Sequence, residues 1–214
     1  MNILSIGNES SQDAHSYLNG FSEDIELLNL YIKGASLEQH AFNIFYNKPY
    51  YSFQFNGNCD NCTQGSIQEA LKLKTWDVIT LQQSIELSGI KESYSPFLNR
   101  LVDRIRIVCP NAEIILHKTE GCDGITYQRL SKTYDFAAAE VGISKLIPVG
   151  DVIDSLKNSS EFNILSYDYI RYAASATWAE YLKIADIDKS LIIPQNTTPE
   201  KIKLINKKVK EICK

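Results

Sequence analysis

Apolar and polar positions along this chain follow two alternating periods. Five short apolar blocks read as strands buried on both faces: Ile3-Leu4-Ser5-Ile6, Ile25 to Ile32, Asp77 to Gln83, Glu113 to His117 and Lys145 to Val149. Between them lie stretches of helical period, at Ser10 to Phe21, from Ser36 onward, Ser66 to Lys74, Ser95 to Val108, Thr126 to Val141 and about Tyr169 to Ile184. Ser95 to Val108 is the clearest of these. Leu98, Leu101, Val102, Ile105 and Val108 keep the i, i+3, i+4, i+7 stripe, and Arg100, Arg104 and Arg106 mostly take other faces. Strands alternating with helices predict a parallel sheet packed between two helical layers.

Turn chemistry sets the boundaries. Gly7-Asn8 ends the first strand, and Ser10-x-x-Asp13 offers a capping-box-like helix start. Lys33-Gly34-Ala35-Ser36 ends the second strand, and Glu38 falls in the first turn of the next helix, where the macrodipole favours an anion. Tyr50 to Phe55 with Asn56-Gly57 suggests a short hairpin or an extended excursion. Pro110-Asn111 and Gly142 stop later helices. Near the C-terminus, a helix over 199–213 carries Ile202, Ile205, Val209 and Ile212 on one stripe. That stripe is expected to dock on the domain rather than lie on an anionic membrane. With no linker-like segment and no internal repeat, residues 1–214 read as one domain.

Composition narrows the function classes. The chain has 214 residues and 44% apolar content, enough for one large core. A net charge of −4 argues against a nucleic-acid surface. No apolar run approaches the roughly 20 residues that span a bilayer. A strand begins at Ile3, leaving no room for a signal peptide, so the chain as it stands reads as cytoplasmic; an export signal already removed would leave no trace in it. Five cysteines do not suggest a disulfide framework. Cys59-Asp60-Asn61-Cys62 is a CxxC, but no second pair completes four zinc ligands. It reads as an exposed hairpin tip open to oxidation, and neither a metal nor a cofactor is expected.

The opening MNILSIGNESSQDAHSYL resembles the first block of the SGNH/GDSL hydrolases. It is closest to their bacterial branch first catalogued as a domain of unknown function, whose turn reads G-N-S-F-S-Q-D-A. Further blocks agree in order: LYIKGASLEQH, WDVITLQQSIELSG, PNAEIILHKTE and RYAASATWAEYL. The resemblance runs over about residues 1–184. It implies a three-layer α/β/α, flavodoxin-like fold with five parallel strands in the order 2-1-3-4-5. Those strands are expected near Ile3–Ile6, Leu27–Ile32, Val78–Leu81, Ile114–His117 and Leu146–Val149, with the site at their carboxyl ends.

In such enzymes a serine in the first turn attacks an ester carbonyl, and a late Asp-x-x-His supplies the base. Donors from the first turn, a block-two glycine and a block-three amide stabilise the oxyanion. Carried onto this chain, the nucleophile position is Glu9, the aspartate position Glu161 and the histidine position Ile164. No histidine follows His117. The oxyanion region keeps Asn8, Gly34 and Gln82 or Gln83, one glutamine to each face of the strand.

Each of these residues also has a structural role to play. Glu9 suits a helix N-terminus, Ser10 and Ser11 suit a cap and a first-turn residue, and Gly34 suits a turn of positive φ. His117 closes the fourth strand as a core or wall residue, and His15 and His40 are expected at the surface or wall. The reading carried forward is a hydrolase fold with a degenerate catalytic site, serving as a small-ligand or carbohydrate-type binding protein or a scaffold. The alternative is an active esterase or deacetylase on acylated carbohydrate, using Ser10 as nucleophile and a non-standard base such as His117.

Overall fold

The computed structural model describes residues 1–214 apart from 59–61, 122–123 and 163. Cys59, and with it the predicted CxxC, lies outside the described residues.

Strand β1 (Asn2–Gly7) is the centre of the sheet. It pairs in parallel with β2 (Glu26–Tyr31) on one side and with β5 (Val78–Leu81) on the other, and β6 (Glu113–His117) and β7 (Leu146–Ile147) extend the parallel ladder. These five strands reproduce the expected order 2-1-3-4-5. The five-stranded expectation is corrected at the other edge: β3 (Tyr51–Phe55) and β4 (Gln64–Gly65) add antiparallel to β2, giving a seven-stranded mixed sheet of order β4-β3-β2-β1-β5-β6-β7. Strand β3 falls in the Tyr50 to Phe55 segment expected to be extended, whereas β4 lies past Asn56-Gly57 and outside that segment.

Helices cover both faces. On one side α3 (Leu37–Phe45), α4 (Ile67–Leu73), α5 (Phe97–Val108) and α6 (Tyr127–Glu140) bury Leu37, Ile67, Leu101 and Tyr134 against Leu4, Ile6 and Leu28 of the sheet. On the other, α1 (Glu9–His15), α2 (Leu18–Phe21), α7 (Val149–Lys157), α8 (Tyr167–Tyr181) and α9 (Pro199–Ile212) pack around Ile3, Leu27, Ile115 and the fully buried Trp178. The C-terminal stripe docks as expected, with Ile205 and Val209 fully buried. No helix among the described residues is long and apolar enough to cross a membrane.

Three local expectations change. The first helix is capped by Asn8, whose Oδ1 accepts from the Ser10 N–H, so Ser10 is a first-turn residue. That helix also breaks near Ser16, whose N–H bonds Asp13 O, and restarts as α2. The last strand stops at Ile147: Pro148 caps α7, a helix the sequence pattern hid because Lys145 to Val149 reads as one apolar run.

His15 and His40 are not surface residues. His15 Nε2 lies 2.8 Å from Ser5 Oγ, and His40 Nδ1 lies 2.8 Å from Tyr51 Oη with the two rings stacked. With His117, all three histidines are buried, and desolvation lowers each imidazole to a pKa of about 3.

Gly150, in the first turn of α7, sits against the exit of β6, and its N–H bonds Lys118 O at 2.9 Å. A Cβ there would lie 2.0 Å from Thr119 O, a backbone atom that cannot swing aside. Gly150→Ala is therefore expected to cost about 3 kcal/mol by overpacking. In a chain of this size that lowers Tm by roughly 6–12 °C in a thermal melt.

The histidines predict an acid-labile protein. Each is neutral when folded and protonated when unfolded between pH 6.5 and about 3, so the unfolded chain binds more protons there. Stability is complete above pH 6.5 and falls with pH by about 1.4 kcal/mol per histidine per unit well below it. Urea unfolding at pH 7, 6 and 5 measures this; a flat profile would contradict it, and His40→Gln should reduce the slope by about a third.

Candidate functional site

The carboxyl ends of β1, β2, β5 and β6 open at one edge of the sheet, and the loops leaving them build the site. Two short hydrogen bonds tie the β1 turn to the loop after β2. Asn8 Nδ2 donates to Ala35 O at 3.0 Å, and Gly34 N–H donates to Glu9 Oε2 at 2.8 Å. Gly34 holds φ +63°, the left-handed turn expected of it, which aims its N–H at the carboxylate. Glu9 is also the first residue of α1, where the helix dipole favours its negative charge.

A buried polar chain underlies this mouth. Ser11 Oγ lies 2.9 Å from Asn8 O and 2.8 Å from Asn29 Oδ1, and Asn29 Nδ2 donates to Gln54 Oε1 at 2.9 Å. The chain links the first turn to β2 and β3.

The two glutamines after β5 separate as alternation requires. Gln83 turns toward α3: its Oε1 accepts from the Leu37 N–H at 3.0 Å, and its Nε2 reaches Ser93 O at 2.9 Å. Gln82 faces the site, between the β1 turn and His117. With its nitrogen toward the turn, Gln82 donates to Asn8 Oδ1 at 2.6 Å, but that nitrogen then meets two backbone N–H groups. Turned over, the amide accepts from the N–H groups of Asn8 and Ser11 at 3.1 and 3.2 Å and donates to His117 Nδ1 at 3.1 Å. This second orientation gains three hydrogen bonds but sets two amide oxygens, Gln82 Oε1 and Asn8 Oδ1, 2.6 Å apart, where the first orientation has a hydrogen bond. An Nδ1 that accepts from Gln82 would leave the His117 ring proton on Nε2.

His117 Nε2 is buried and has no hydrogen-bond partner among the described residues. The ring lines a cavity of about 20 Å³ together with Ser10, Asp13, Glu120 and apolar residues of α7 and α8. That volume suits a single water molecule. Ser10 and His117 thus share a cavity, but no hydrogen bond joins them. The serine–histidine pair that does form, Ser5 with His15, is closed off: both are buried, and Thr80 Oγ1 donates to Ser5 Oγ at 2.9 Å. Trp178 packs edge-on against both His15 and His117, with centroids 5.2 and 5.5 Å away.

Asp13, expected from the sequence as the acid of a capping box, instead turns to partners on α8. Tyr167 Oη lies 2.5 Å from Asp13 Oδ1, and Arg171 Nε is 3.6 Å from the same oxygen. Burial raises the Asp13 pKa, Tyr167 and Arg171 pull it down, and the charges of Glu120 and Glu9 push it up. Tyr17 and Tyr167 flank the Arg171 guanidinium, each ring 5.5 Å from it.

The late positions stay apart from this cluster. Ile164 is 84% exposed, and Glu161 is an exposed loop residue whose carbonyl accepts from Lys201 Nζ. Neither lines the cavity beside His117. Among the described residues, no group of three His, Cys, Asp or Glu is placed to hold a metal ion.

Comparison with known proteins agrees with this architecture. No curated protein matches the chain. A solved DUF4886 family protein from Bacteroides uniformis superposes with a TM-score of 0.83 at 28% identity, covering 99% of this chain and 93% of its own. A candidate SGNH hydrolase from Slackia heliotrinireducens gives a TM-score of 0.59 at 20% identity, over 84% of this chain and 97% of its own. A candidate GDSL-like lipase from Parabacteroides merdae gives 0.55 at 14% identity, over 84% and 94%. These two share the fold, which is the α/β arrangement of the SGNH/GDSL hydrolases. The model of the domain of unknown function DUF4886 matches residues 2–141, about two thirds of the sequence, and the chain belongs to that family.

Proposed function

We propose that this protein is an SGNH/GDSL-type chain whose catalytic site is degenerate, and that its mouth binds a small polar or carbohydrate-type ligand without hydrolysing it. One observation carries the reading. The residue at the nucleophile position, Glu9, places its carboxylate on the Gly34 N–H at 2.8 Å, the backbone donor that the family resemblance assigns to the oxyanion. An ester carbonyl entering there would meet a negative charge already holding the donor that its tetrahedral intermediate needs. At the base position stands Ile164, an exposed side chain with no proton to accept or give.

Binding is supported by the groups that meet Asp13, a residue of the cavity beside His117. The Tyr17 and Tyr167 rings beside the Arg171 guanidinium combine aromatic faces with hydrogen-bonding groups, the mixture that small-ligand sites use.

A second reading has one observation in its favour: Ser10 and His117 line the same water-sized cavity. For esterase chemistry His117 Nε2 would have to accept the Ser10 proton. No hydrogen bond joins the two, and the burial that lowers the His117 pKa to about 3 makes the ring a weak base, which favours the degenerate reading.

The two readings separate in an assay on an acetyl ester. The wild-type protein and Glu9→Ser are expected to show no turnover above an unrelated control protein, with unchanged thermal melts. Loss of a triad member leaves a rate at least about 10³-fold below that of an intact enzyme. Adding Ile164→His, with Glu161→Asp, should begin to restore cleavage. Wild-type turnover abolished by Ser10→Ala would establish the esterase instead, and strong turnover by Glu9→Ser alone would mean that a base is already in place.

A further inference from the structure

Helices α3 and α5 enclose a groove of about 670 Å³ that runs from Glu38, in the first turn of α3, to Tyr46 just past its end. The buried face of α3 is supplied by Leu37, His40, Ala41 and Ile44, so its outer aromatics are not needed for the core. Phe42, Phe45 and Tyr46 nonetheless stand 51%, 72% and 56% exposed along the groove and its rim. They pack on one another, Phe42 to Tyr46 at 4.5 Å and Phe45 to Tyr46 at 4.8 Å between centroids, which makes the patch an ordered surface. Isolated exposed apolar side chains are ordinary; a contiguous aromatic cluster beside a groove marks a contact surface.

The rim says what fits. Two acids, Glu38 and Asp103, and two bases, Arg100 and Arg104, surround the aromatics. All four are exposed, and none takes part in an ion pair within this chain among the described residues. Arg100 and Arg104 also stand at i, i+4 on α5, where like charges oppose the helix until something neutralises them. A partner carrying one sign of charge, such as a nucleic acid or an acidic peptide, would meet as much repulsion as attraction here. A surface that itself carries both signs can place its acids on the arginines and its arginines on the acids.

We infer that the α3/α5 face is a two-fold homodimer interface, and that its occupant is a second copy of this chain. A two-fold axis brings identical patches together, so each residue meets the residues that it faces in return. A patch with two acids and two arginines around an apolar centre can then set the arginines of one copy against the acids of the other. Phe45, the most exposed of the three aromatics, is the projection, and the groove beside it is the recess; both are present on each copy. Phe45 and Tyr46 lie at the end of α3 away from Leu37, whose N–H is held by Gln83.

Sedimentation velocity on the full chain tests this. The expected species at about 200 µM, well above a micromolar Kd, has twice the 24.2 kDa chain mass. Phe45→Glu should weaken association at least about tenfold, equivalent to about 1.4 kcal/mol, with an unchanged circular dichroism melt. Charge reversal supplies the specific readout. Arg100→Glu/Arg104→Glu makes the rim wholly acidic, Glu38→Arg/Asp103→Arg makes it wholly basic, and each double variant alone should be monomeric. Mixed in equal amounts, the two should form a heterodimer. A wild-type monomer at the highest concentration overturns the inference. So does a dimer indifferent to Phe45→Glu, or a pair of reversed variants that stay apart when mixed.

Discussion

The structure depends on the in-register parallel pairing of β1 with both of its neighbours. Ile3 to Ile6 stand opposite Leu27 to Leu30 on one side and Val78 to Leu81 on the other. Because these strands run the same way and pair residue for residue, their carboxyl ends fall at one level. The Gly7 turn, the Gly34 loop and Gln82 meet there for that reason alone. A ladder slip of one residue would turn every buried side chain of a strand to the opposite face, so two apolar cores enforce the register. The bonds from Asn8 to Ala35 and from Gly34 to Glu9 are consequences of that pairing.

Burying so many polar groups beneath the mouth has an energetic cost that the packing must offset. Ser5, Thr80, Asn29, Gln54 and the three histidines are all removed from water, and nearly every one is matched by a named partner. The exceptions are single imidazole nitrogens, one on each ring. A neutral imidazole tolerates one unmatched nitrogen far better than an imidazolium would, which is why all three rings are held uncharged. The same burial that closes the Ser5–His15 pair to any substrate makes it a structural hydrogen bond between β1 and α1. Proximity of a serine and a histidine is not by itself a catalytic arrangement.

Glu9 changes what the inherited scaffold can do. A serine at that position would leave the Gly34 N–H free for an incoming oxygen; the glutamate supplies its own oxygen instead. The bond ties the first turn to the second loop, and on the proposed reading it takes the place of a transient hydrogen bond to a substrate. On the proposed reading, a first turn tied up in this way suits recognition better than acyl transfer, which demands a paired nucleophile and base.

Much of this molecule was legible in the order of its residues. Apolar runs of four to eight residues separated by helical stripes specify parallel strands under helices, since only that arrangement buries such strands on both faces. Ser36, Ser66 and Thr126 mark helix starts because their side-chain oxygens accept from backbone N–H groups three residues on. The split of the first helix, the end of β7 and the burial of His15 and His40 were not legible. Each depends on a neighbour distant in sequence: Ser175 Oγ meeting the Tyr17 N–H, Gly150 fitting against Thr119, Tyr51 stacking on His40. Asp13 belongs to the site through Tyr167 and Arg171, more than 150 positions away. Local pattern encodes which face of an element is apolar. Only the closed fold decides which polar group meets which, because that choice is made by packing between elements and not within them.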